Sequence, residues 1–297
     1  MKYRLMLLGA SLFWGGAFVA QRVSTDTIGP FAFNGLRFLL GAAAILPIVY
    51  WHHNINKTER PIHSCKLPLP AACLLLGFLL FAGASCQQIG MIYTTAGKAG
   101  FITSLYIVAV PLLGLLIKQP LRLSHVGGCV VSFAGLYVLA FHSDGQAINI
   151  GDLLELTGVL FWSLHILYIS QCVRYFSGID LALGQFVACG LYNLAAMLIT
   201  NETLTLGAVL ASAIPLLYCG ILSSGAGFTL QILGQEKVPP TEASLLCSFE
   251  MIFSAAAGFL LLGELLTTRE LIGCGLMAIG IFTAQIPSKV IFQLKKA

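Results

Sequence analysis

The chain has 297 residues, 58% of them hydrophobic and 9% charged, with a mean hydropathy of +0.89 and a formal net charge of +4. Soluble globular domains carry roughly 25% charged residues, so the composition excludes a water-soluble fold and points to an all-α integral membrane protein. The basic residues are scattered and form no polyanion-binding patch, so nucleic acid is not expected as a partner.

Ten apolar runs follow one another, each near the roughly 20 residues a helix needs to cross a hydrocarbon layer about 30 Å thick. They cover 5–20, 30–51, 70–93, 99–117, 125–141, 153–172, 180–200, 212–233, 243–263 and 271–292. The first run resembles a signal peptide, with Lys2, Arg4 and an Ala17-Phe18-Val19-Ala20 end. It is read instead as a retained spanning helix, because Trp14 belongs to a repeat. The longest polar stretch, 52–66, is too short for a soluble domain. Nine scattered cysteines show no C-x-x-C spacing, so neither a metal site nor a disulfide is expected.

Two offsets reveal an internal duplication. Shifting by 144 superposes Ala99 on Ala243, Ser104 on Ser248, Gly114 on Gly258 and Leu116 on Leu260, and brings Tyr106 onto Glu250. Shifting by 148 superposes Leu12-Phe13-Trp14 on Leu160-Phe161-Trp162, and Phe38 on Phe186. The expected units are residues 1–145 and 146–297, each of five helices. An odd number of crossings per unit makes the two units antiparallel. Inverted repeats of this kind characterise secondary transporters, because exchanging the conformations of the halves exchanges inward-open and outward-open states.

Lys and Arg near the helix ends set the orientation. With the N-terminus inside, twelve fall on the cytoplasmic side (2, 4, 57, 60, 66, 118, 122, 174, 237, 289, 295 and 296) and three outside (22, 98 and 269), leaving Arg37 within the second helix. Both termini are therefore expected in the cytoplasm of a multi-pass plasma-membrane protein.

Few polar residues interrupt the apolar runs. Glu250 lies about two turns into the ninth run, where a carboxylate costs on the order of 3 kcal/mol. It either binds a substrate ammonium or a proton, or forms a structural ion pair. Tyr106 would enter the same space as its symmetry mate. Ser248, two positions from Glu250, points roughly 200° away around the helix. Arg37, with Asn34 one turn above it, either holds a substrate carboxylate or anchors the helix; Glu264 is its expected partner by depth. Trp14 and Trp162 lie some nine residues into their helices, away from the headgroup belt. Gln87, Gln88, Gln231 and Gln235 either bind substrate or bridge helices, and His165 is as readily a packing histidine as a ligand. Gly127, Gly128 and Gly135, with Gly273, Gly275 and Gly280, suit close packing of the fifth and tenth helices or a dimer surface. The run 94–100 lacks the glycine and Ser/Thr positions of a phosphate loop, so no nucleotide cofactor is implied.

Leu12–Ala20 (L-F-W-G-G-A-F-V-A), Pro30–Ala42, Thr103–Leu116 and Ser248–Leu266, followed by L-I-G-C-G at 271–275, resemble the EamA-type branch of the drug/metabolite transporter superfamily. The resemblance covers nearly the whole chain. It implies two inverted five-helix repeats around a central cavity, lined by Trp14 and Trp162, and export or exchange of amino acids or amphipathic metabolites. Lys118-Gln119-Pro120 departs from the family's Gly-Glu pair, which this chain carries only at Gly263-Glu264. The substrate-contact set is thus Trp14, Asn34, Arg37, Gln88, Tyr106, Trp162, His165, Gln231, Ser248 and Glu250, with Glu250, Arg37 and Glu264 as coupling or ion-pair residues. No enzymatic activity is expected. Partners would be a small-molecule substrate, protons and membrane lipid, in a monomer or weak homodimer. The competing classes are a membrane enzyme acting on a lipid-linked substrate and a passive channel.

Overall fold

In hydrocarbon each backbone N–H and C=O must find its partner within its own segment, so the apolar runs have no alternative to helix. A computed structural model describes residues 1–55, 67–140, 149–265, 267–286 and 288–292. The proposed boundary at 145/146 lies outside the described residues, as does the polar stretch 52–66 beyond residue 55, its first four residues belonging to α2. The helices are α1 (Lys2–Ser24), α2 (Pro30–Ile55), α3 (Leu69–Gly90), α4 (Ala96–Thr103), α5 (Tyr106–Gly114) and α6 (Leu123–Ala140) in the first half. The second half holds α7 (Ile150–Cys172), α8 (Gly178–Ile199), α9 (Leu206–Ala211), α10 (Ala213–Leu217), α11 (Thr229–Gln235), α12 (Pro240–Cys247), α13 (Glu250–Leu262) and α14 (Thr268–Gln285).

Among the described residues, eight helical stretches are long and apolar enough to cross a membrane. The fifth and tenth runs form α6 and α14, of 18 residues each, whose apolar portions shorten to 123–135 and 271–284. Polar residues at Ser124 and His125, and at Thr268 and Arg269, occupy their first turns.

The fourth and ninth runs, read from sequence as continuous, are each broken in the middle. α4 gives way to α5 at Ser104-Leu105, and α12 to α13 at Ser248-Phe249. At each break a serine hydroxyl bonds back to its own helix: Ser104 Oγ donates to Gly100 O and Ser248 Oγ to Leu245 O, both at 2.8 Å. Such back-bonding competes with the helical ladder and bends it. The two breaks are 144 residues apart and meet, Ser104 Oγ lying 3.4 Å from Ser248 O. α4 packs on α13 and α5 on α12, so the paired helices cross antiparallel at their breaks, as mates in an inverted duplication must.

α6 and α14 form a closely packed pair. A Cβ on Gly128 would stand 2.6 Å from Gly280 O, a distance that only glycine permits; one on Gly127 would meet Thr283 of α14 at an ordinary 3.7 Å, and Gly275 faces open space. Gly128→Leu should therefore cost roughly 1–3 kcal/mol through overpacking, measurable as a lowered thermal unfolding midpoint of the detergent-solubilised protein, whereas Gly275→Leu should leave the midpoint unchanged.

Two short strands, β1 (Leu121–Arg122) and β2 (Val290–Phe292), pair antiparallel just beyond α5 and α14. At the same end of the bundle Arg4 of α1 meets Glu242 of α12.

Candidate functional site

Beside the helix breaks a cavity opens among α1, α2, α3, α7, α11 and α13. Both halves line it. One wall is aromatic: Phe228 sits between Trp14, with ring centroids 4.8 Å apart, and Trp162, 5.8 Å away and nearly parallel at 21°. Each tryptophan lies over a glycine of the opposite half. A Cβ on Gly227 would stand 2.8 Å from Trp14 Nε1, and one on Gly83 3.0 Å from the Trp162 ring. Gly83 and Gly227 are themselves 144 residues apart, so the duplication extends to the sockets. Phe228 closes a π-helical stretch, Tyr218–Phe228, whose glycines let α2 approach: a Cβ on Gly220 would stand 3.2 Å from Arg37 O. In this widened stretch Ser223 O accepts a bond from Trp14 Nε1 at 3.2 Å, while the buried Trp162 Nε1 has no partner.

The other wall is polar. Arg37 from α2 donates through Nε to Asn34 Oδ1 at 2.9 Å, Asn34 Nδ2 donates to Ala84 O at 3.0 Å, and the guanidinium carbon lies 4.7 Å from the Phe38 ring centre. No carboxylate lies within ion-pair distance of Arg37 among the described residues. Gln87 and Gln231, another pair 144 apart, enter from α3 and α11. Tyr106 and Glu250 face each other across the paired breaks. Their side chains are each other's polar neighbours in an otherwise dry setting, Glu250 being only 4% exposed and Tyr106 3%.

Six residues of the expected substrate-contact set thus come together on the cavity, Trp14, Arg37, Tyr106, Trp162, Gln231 and Glu250, and Gln87, the other glutamine candidate of α3, joins them. The others stand behind it. Asn34 orients Arg37. Gln88 donates to Gln21 O and Ser24 Oγ at 3.2 and 3.1 Å, because the 100° step along α3 gives the cavity to Gln87 instead. His165 Nε2 pairs with Gln185 Oε1 at 2.9 Å and meets Trp162 edge-on. Ser248 forms the helix break. Glu264 does not pair with Arg37; its carboxylate accepts from the backbone N–H groups of Ala96 and Gly97, each at 3.3 Å. An α-helix N-terminus leaves such donors unmatched and is the electropositive end, so α4 captures the carboxylate.

Gln21, Thr103, Ser223 and Phe228 line the cavity unannounced by the sequence. Glu155 is the more consequential omission. It is 1% exposed in α7 and accepts from Thr103 Oγ1 at 3.0 Å, and an acid within the sixth apolar run was a readable signal.

Among the described residues, two pairs of a Lys or Arg with a carboxylate join the halves, toward opposite ends of the bundle, and His53 of α2 also meets Asp180 of α8 at 2.7 Å. Lys98 Nζ of α4 lies 2.7 Å from Asp152 Oδ2 of α7, with side chains 19% and 7% exposed. Arg4 of α1 pairs with Glu242 of α12 at the opposite end, in a more exposed setting. Position 4 maps onto 152 by the 148 offset, and 98 onto 242 by the 144 offset. The two pairs are the same contact made twice, with the signs of the charges exchanged.

The EamA-like transporter family model matches the chain twice, over residues 1–141 and 149–284. An uncharacterized transporter of Archaeoglobus fulgidus is 27% identical over 278 residues, spanning 93% of this chain and 83% of its own. The uncharacterized transporter YoaV of Bacillus subtilis is 23% identical over 95% of this chain and 96% of its own. A WAT1-related chloroplastic protein of Arabidopsis thaliana is 22% identical over 95% of this chain and 69% of its own. A solved crystal structure superposes with a TM-score of 0.71 over 95% of this chain and 96% of that one, at 18% identity, a likeness of fold. Two family matches that together span nearly all of a multi-pass helical chain leave one assignment: the chain belongs to the EamA-like transporter family.

Proposed function

We propose that the protein is a secondary transporter moving a small organic solute, an amino acid or amphipathic metabolite, outward or in exchange, by alternating access between two inverted halves, residues 1–145 and 146–297. The reading takes α6 and α14 as crossings, giving ten, and puts both termini in the cytoplasm of a plasma-membrane protein. The observation that carries it is the doubled, charge-exchanged contact at the two ends of one cavity. Arg4–Glu242 and Lys98–Asp152 are equivalent closures, and opening one while the other holds gives each face access in turn.

Within the cavity Arg37 would take a solute carboxylate and Glu250 an ammonium or a proton, while Trp14, Phe228 and Trp162 hold an apolar body. Asn34, Gln88, His165 and Ser248 fix the residues that make contact. Energy would come from solute or proton gradients: one elementary charge crossing 100 mV carries about 2.3 kcal/mol. Lipid surrounds a monomer or weak homodimer, and no cofactor takes part.

Counterflow in proteoliposomes tests the reading. Preloading unlabelled amino acid should accelerate uptake of the labelled form, which a channel would not do, and the label should emerge chemically unchanged, which an enzyme would not allow. Glu250→Gln should lower this flux at least fivefold or abolish its pH dependence; unchanged flux with unchanged pH dependence would remove Glu250 from the mechanism.

A further inference from the structure

Glu155 is a second buried acid, set apart from the cavity by one hydroxyl. Its Oε2 accepts from Thr103 Oγ1 at 3.0 Å, and Thr103 Oγ1 in turn accepts from Gln87 Nε2 at 3.4 Å. Thr103 and Gln87 both line the cavity. Glu155 Oε1 has no partner, and the residue is 1% exposed. An orphaned carboxylate oxygen sealed from water is among the costlier buried groups a helix can carry.

The duplication shows that packing does not demand an acid here. Position 155 maps onto Leu7 by the 148 offset, and Gly90 onto Gly234 by the 144 offset. A Cβ on Gly234 would stand 2.7 Å from Leu7 Cγ, just as one on Gly90 would stand 3.1 Å from Glu155 Oε1. The two slots match, and the first half fills its own with leucine.

The ionisable groups that act on Glu155 are Asp152 on its own helix, Cys86 on α3 and Glu250 on α13, with Lys98 of α4 reaching Asp152. Lys98 is the one cation among them and is held by Asp152 at 2.7 Å. Arg37, across the cavity, is held by Asn34. No described cation is therefore left to balance Glu155, and a proton on Oε1 is the ligand that fits: it needs no space, removes the charge and leaves the Thr103 bond on Oε2 in place.

We infer that Glu155 is a proton-binding site, separate from Glu250, connected to the cavity through Thr103 and Gln87 and lying on the side closed by Lys98–Asp152. Opening that closure would expose Glu155 to the solution, and the proton would enter or leave there. The inference does not depend on which solute is carried.

The proton itself serves as the probe. Infrared difference spectra of the full chain in nanodiscs, titrated with pH, should contain a protonated-carboxyl C=O band that Glu155→Gln and Glu155→Leu abolish and Glu250→Gln retains. Glu155→Leu copies the residue found in the equivalent slot, so it keeps the test available should the glutamine variant not fold. Thr103→Val, which keeps the acid but removes its donor, should move the midpoint of this band by about 0.5 pH unit or more. A spectrum unchanged by loss of Glu155, or a midpoint unmoved in Thr103→Val, would overturn the assignment.

Discussion

Lys98→Glu alone is expected to lower counterflow at least tenfold, and the double variant Lys98→Glu with Asp152→Arg to recover it to within about threefold of the parent. The single change sets two carboxylates against each other where an ion pair now lies 2.7 Å apart with side chains 19% and 7% exposed. Breaking such a partly dry pair costs on the order of 3 kcal/mol, and tenfold in a population corresponds to about 1.4 kcal/mol. The double variant copies the residues that stand at the other end, Glu242 and Arg4. Asp152 also accepts from Asn149 N in a capping box at the start of α7, so recovery should stop short of complete. Arg4→Glu should have the smaller effect, because that pair is more exposed and water screens it. A double variant no better than the single one would mean that Lys98 and Asp152 act separately.

The second large effect concerns the aromatic wall. Trp14→Ala and Trp162→Ala should each raise the half-saturating concentration of an apolar amino acid about tenfold to a hundredfold. Each indole packs on Phe228, Trp162 stacked at 21° and Trp14 tilted at 51°, and losing such a surface forfeits roughly 2–3 kcal/mol of apolar contact. The two should have similar effects, since each occupies the equivalent socket over Gly227 or Gly83. Trp14→Phe should restore most of the affinity while losing the bond to Ser223 O. A large effect at one tryptophan and none at the other would argue that the cavity is used from one half only.

Much of this was legible without coordinates because a duplicated chain reports on itself twice. Tyr106 and Glu250 were matched by an offset, and they meet across the paired breaks. Trp14 and Trp162 were matched likewise, and they flank one ring. Of the glycines in α6 and α14, Gly128 and Gly280 make the close contact their spacing suggests, whereas Gly275 faces open space. What escaped depended on local conformation or on direction around a helix. Nothing in T-S-L-Y or C-S-F-E requires a break, because serine inside an apolar run is compatible with a continuous helix; the break follows from the crossing of two such serines. Gln87 and Gln88 differ by one 100° step, which composition does not resolve. Glu264 was matched by depth to Arg37, yet backbone donors at the start of α4 hold it, and backbone has no signature in a list of side chains.

If the two ends of the cavity open reciprocally, hydrogen–deuterium exchange on Lys98→Glu should report it. Weakening the Lys98–Asp152 closure should speed exchange of the amides of 96–103 and 150–158 while slowing that of 2–8 and 240–247 at the Arg4–Glu242 end. Faster exchange at both ends, or no change at the far end, would contradict alternating access through this cavity.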